Sequence, residues 1–61
     1  MKREIFNADG SLRAVIMSSG DREEIFDAYG SLLGVYRSAT DETTDAYGSL
    51  VGRGNLLMTL I

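Results

Sequence analysis

Apolar residues in the centre of this chain fall on both of the alternating positions of a strand. Leu12, Ala14 and Ile16 share one parity and Val15 and Met17 the other; Leu32 and Tyr36 likewise oppose Leu33 and Val35. An open antiparallel sheet with one wet side alternates apolar and polar residues. Apolar residues at both parities therefore predict a closed sheet, two packed sheets or a second subunit.

The pattern repeats. Ile5-Phe6-Asn7-Ala8-Asp9-Gly10-Ser11-Leu12 aligns with Ile25-Phe26-Asp27-Ala28-Tyr29-Gly30-Ser31-Leu32 and with Thr43-Thr44-Asp45-Ala46-Tyr47-Gly48-Ser49-Leu50, at offsets of 20 and 18 residues. A unit of that length, with one turn signal in its middle and another at its end, holds two short strands rather than a helical pair. The predicted fold is all-β: an antiparallel meander of three repeated β-hairpins plus a C-terminal strand, curled or packed against a second subunit. The units run over about residues 4–20, 24–40 and 42–55 of a single small domain spanning 1–61, with an apolar strand at 56–61.

Turn chemistry explains the repeated motif. Asn or Asp opening a type I turn accepts hydrogen bonds from backbone N–H groups two residues on, and the residue after such a turn enters the left-handed region, where Gly has no Cβ to clash. Asn7, Asp27 and Asp45 are thus read as turn openers, and Gly10, Gly30 and Gly48 as the positive-φ positions. This register sets Phe6 opposite Leu12, Phe26 opposite Leu32 and Thr44 opposite Leu50. In the third unit Thr43 and Thr44 replace the Ile-Phe pair, so that hairpin loses apolar area and reads as the edge or cap. Ala14, Gly34 and Gly52 hold equivalent positions, where a missing side chain permits close approach of other backbone or a sharp bend.

The tail, Asn55 to Ile61, is the most apolar stretch of the chain. It is too short for a stable isolated helix, and Arg53-Gly54-Asn55 before it reads as a turn. A final strand is expected, pairing with the chain's own first strand or with a partner's. Leu56, Leu57, Met58, Leu60 and Ile61 are accordingly the candidate interface residues.

Length and composition sharpen this. In a chain of 61 residues a core stabilises only marginally, and the absence of Cys and His removes disulfides and zinc as staples. A homo-oligomer follows, with a dimer favoured. The net charge of −3, with no basic cluster, disfavours nucleic acid. No apolar run approaches the roughly 20 residues that span a bilayer, so no membrane partner is expected and a cytoplasmic location is the default.

Candidate chemistry is sparse. Without His or Cys the commonest general base, thiol nucleophile and transition-metal ligands are missing. No catalytic residue, metal site or cofactor is expected, and the protein is read as no enzyme; a carboxylate-only hydrolase would need two acids facing each other across a cleft. Asp21, Glu23 and Glu24, with Asp41 and Glu42, form acidic clusters suited to a hard cation, but acids beside loops are ordinarily solvated. Ser11, Ser31 and Ser49 recur with no base beside them. Tyr29 and Tyr47 share one loop position and are the candidate ligand contacts, able to stack on a sugar or bind a peptide.

Residues 26 to 32, Phe-Asp-Ala-Tyr-Gly-Ser-Leu, resemble the Tyr-Asp-x-x-Gly-Arg-Leu core of the YD repeats of bacterial Rhs-type shell proteins, and the hairpin core is similar to MORN-like repeat units. The resemblance lacks the first Tyr and the Arg after Gly. It implies a hairpin array that scaffolds, encloses or binds, with no catalytic residue to carry over. The functional expectation is a small structural or protein-interaction protein that self-associates through β-sheet surfaces; the alternative is a glycan- or peptide-binding module using the Tyr-bearing loops.

Overall fold

The structure is a computed structural model that describes every residue from Met1 to Ile61. Six strands form one antiparallel sheet in sequence order: β1 (Lys2–Phe6), β2 (Leu12–Ser19), β3 (Arg22–Asp27), β4 (Leu32–Arg37), β5 (Glu42–Asp45) and β6 (Leu50–Arg53). Each repeat supplies one hairpin, so the three long loops line one end of the sheet and the two connecting turns lie at the other.

Loop geometry follows the turn chemistry. Gly10, Gly30 and Gly48 take φ of +91°, +88° and +85°. In each loop the residue opening the turn accepts a backbone bond from that glycine and donates one to the following serine's carbonyl, as in Asp27 to Ser31 at 2.9 Å. Phe6 pairs with Leu12, Phe26 with Leu32 and Thr44 with Leu50.

One step further along each hairpin the ladder departs from strict alternation. Ile5 pairs with Ala14, Ile25 with Gly34 and Thr43 with Gly52, so Arg13, Leu33 and Val51 are extra residues in bulges. A bulge sets two residues against one and shifts every later side chain to the other face. Leu12 therefore sits with Val15 and Met17 rather than with Ala14 and Ile16, and Leu32 sits with Val35 rather than with Tyr36. The expected division of faces was drawn without the bulges and is corrected by them.

One face carries the core. Ala14, Ile16, Ile25 and Leu57 form its buried cluster, with Ile5, Leu33, Tyr36, Leu60 and Ile61 packed against it. Burying a Leu or Ile side chain is worth about 1.5–3 kcal/mol, so few contacts separate this sheet from unfolding.

The C-terminal segment is not the strand expected. Leu57–Leu60 is a turn of 3-10 helix that lies across the core face and pairs with no strand. Gly54, at φ +84°, turns the chain off β6. Thr43 then anchors it: the fully buried hydroxyl donates to the Gly54 carbonyl at 2.7 Å and accepts from the Leu56 N–H at 3.0 Å. Asn55 Oδ1 accepts from the Leu57 N–H at 3.2 Å, and Thr59 closes back on the Leu56 carbonyl through its N–H and its hydroxyl. The tail lies where the strands have no side chain. A Cβ on Gly34 would collide with Leu60 and with the Thr44 carbonyl, and one on Gly52 would stand 2.7 Å from Leu56 Cδ1. A hole over the two glycines, rather than a free strand edge, receives the apolar tail.

Candidate interaction surface

The second face of the sheet has no cover. Its apolar residues are Phe6, Leu12, Val15, Met17, Phe26, Leu32, Val35 and Leu50, placed together by the bulges and the cross-strand register; Lys2, Glu4 and Thr44 lie among them, and Glu24 stands between Met17 and Val35. Val35, on a central strand, is buried without joining the core cluster, while Phe6, Met17 and Leu50 are 56%, 42% and 60% exposed. Part of this face forms an open groove of about 290 Å³ lined by Lys2, Leu12, Val15, Met17, Phe26 and Ala28. Contiguous exposed apolar surface of this kind marks interaction sites.

The turn-end margin of that face is charged. Arg22, Arg37, Glu42 and Arg53 stand side by side across four strands, with Arg22 directly opposite Arg37. Facing like charges destabilise a sheet locally. Arg22 reaches Glu24 at 4.0 Å, an exposed pair of little energetic weight.

The candidate interface residues of the tail are divided differently. Leu57 is 1% exposed and belongs to the chain's own core, Leu60 and Ile61 pack beside it, and Met58 is 52% exposed. Leu56 sits over Gly52.

At the loop end, Asp27 Oδ1 accepts from the N–H groups of Tyr29 and Ser31 at 2.8 and 2.9 Å, and Asp45 Oδ1 does the same for Tyr47 and Ser49 at 2.9 and 3.0 Å. The first loop is built otherwise. The Asn7 side chain does not accept; its Nδ2 donates to Ser11 Oγ, and Asp9 Oδ1 takes the acceptor role toward the Ser11 hydroxyl at 2.6 Å and the Ser11 N–H at 3.0 Å. Those bonds, the hydroxyl's first, hold the Asp9 carboxyl below its usual pKa. The Asp peculiar to the first loop thus substitutes for the carboxylate that Asn7 lacks. Tyr29 and Tyr47 are 95% and 94% exposed at the loop tips.

Elsewhere Tyr36 donates its hydroxyl to Asp41 Oδ1 at 2.9 Å, and this bond first, then desolvation, raises its pKa. Asp41 takes φ +53°, a value that Asp tolerates better than most residues, and its carbonyl accepts from the Gly54 N–H at 2.8 Å. No three acidic side chains converge to hold an ion, and no helix is long and apolar enough to cross a membrane. Comparison with protein-family models, curated proteins and solved structures returns no match.

The sequence reading found the two-sided apolar pattern but not which residues share a side. The available signal was the matching position of Arg13, Leu33 and Val51, three residues after the loop glycine in each repeat.

Proposed function

We propose that this protein is a small non-catalytic interaction module that self-associates through a β-sheet surface. The observation that carries the reading is the asymmetry of cover: one apolar face is closed by the chain's own tail, while Phe6, Met17 and Leu50 stay exposed on the other. A domain this small gains more from covering a second face than from any further contact within its chain. The resemblance to hairpin arrays that scaffold or enclose fits the same role. Analytical ultracentrifugation of the intact chain tests it. A dimer or higher oligomer is expected at micromolar concentration, and a monodisperse monomer at high micromolar concentration would overturn the reading.

A second reading is favoured by the tyrosines. Tyr29 and Tyr47 are almost fully exposed on equivalent loops with hydrogen-bonded backbones, on neighbouring hairpins at one end of the sheet. That arrangement suits stacking on an extended glycan. Glycan-array binding lost in the Tyr29→Ala/Tyr47→Ala variant would support it, whereas binding to no glycan would remove it.

A further inference from the structure

We propose that a second copy of this chain occupies the uncovered face in a two-fold, face-to-face dimer whose strands run antiparallel, the loop end of each copy lying over the arginine row of the other. The proposal rests on the self-association reading and adds the surface, the symmetry and the charges that select them.

Area comes first. The molecule measures 35 × 21 × 17 Å, and its two larger dimensions give a sheet face of roughly 700 Å². A standard specific interface buries about 800 Å² per partner, so this face packed on its own copy nears that size. The apolar residues of the face run diagonally from Phe6 and Leu12 on the first hairpin through Val15 and Phe26 to Met17, Val35 and Leu50, with Glu24 between Met17 and Val35. Stacked sheets pack about 10 Å apart, a spacing that side chains such as Phe and Met fill.

Charge then chooses the orientation. One end of the sheet bears an acid on each hairpin loop: Asp9, Asp27 and Asp45. Each uses Oδ1 on its own loop, and Asp27 and Asp45 stand opposite Ala14 and Gly34 at positions of the covered face. At the opposite margin of the uncovered face lie Arg22, Arg37 and Arg53, with Glu42 the one acid in their row. A two-fold axis along the strands would set acidic loops against acidic loops and arginines against arginines. An axis perpendicular to the strands instead keeps the two arginine rows a strand length apart. The isologous contact also closes, giving a dimer rather than a filament.

The chain has no cysteine, so Tyr29→Cys places a single spin label on the central hairpin loop at a side chain with almost no contacts. In the antiparallel dimer the two labels lie at least a strand length apart, about 20 Å for the six residues of β3 or β4, whereas an axis along the strands brings them to about 10 Å. Pulsed dipolar EPR distinguishes the two. Met17→Glu sets a second carboxylate directly opposite Glu24 within the contact and is expected to give a folded monomer, with the wild-type circular dichroism spectrum of the sheet. A dimer with the short label distance overturns the arrangement while leaving self-association intact. A Met17→Glu chain that still dimerises overturns the choice of face. A wild-type monomer removes the self-association reading and this proposal with it.

Discussion

A Cβ built on Gly30 meets nothing within 4 Å, yet the residue stands at φ +88°. Any cost of substitution there is conformational and not steric. Gly30→Val is expected to destabilise the fold by about 1–3 kcal/mol, because a β-branched side chain is poorly accommodated at positive φ. Gly30→Asn should lose less, since Asn tolerates that region. Asp27→Ala removes two hydrogen bonds at an exposed site where water replaces them, so its effect should be nearer 1 kcal/mol. Urea denaturation of the three variants checks the ranking, and a Gly30→Val chain as stable as wild type would remove the bulged-turn account.

At the scale of the element, the tail shows how one departure from a repeat does structural work. Thr43 occupies the place of Ile25, and the exchange gives up apolar area within the sheet. Its hydroxyl instead satisfies a carbonyl and an N–H of the segment that covers the core. Thr43→Val keeps the shape and removes the hydroxyl, leaving the Leu56 N–H and the Gly54 carbonyl without their partner. A loss of about 1–3 kcal/mol is expected, with the amides of Leu56 and Leu57 exchanging faster than those of β2 and β3. Uniform exchange rates across tail and strands, at unchanged stability, would contradict the anchor.

For the whole molecule the balance is between one internally covered face and one left open. Removing residues 56–61 uncovers Ala14, Ile16 and Ile25, and the burial of Leu57 alone is worth about 1.5–3 kcal/mol. That is a large share of the stability of a domain of this size. The truncated chain is expected to lose cooperative thermal unfolding, as monitored by circular dichroism, because the tail is core. Retention of a sharp transition would mean that the sheet is held chiefly by other contacts.

The hairpins were legible in the sequence because a turn is decided by neighbours. Asp27 and Gly30 act within five residues, and the pairings Phe6–Leu12, Phe26–Leu32 and Thr44–Leu50 follow from loop length. The turn at Gly54 was equally local. The functions of Asn7 and Asp9 were less so, since an amide and a carboxylate in adjacent turn positions exchange the acceptor role without changing the backbone. The tertiary structure alone decided the bulges at Arg13, Leu33 and Val51, and with them which apolar residues share a face. A bulge depends on how a strand twists against its partners, which parity along one strand does not record. It also decided the tail, whose apolar composition required cover without naming it. The cover is the gap above Gly34 and Gly52, and that gap exists only once β4, β5 and β6 lie side by side.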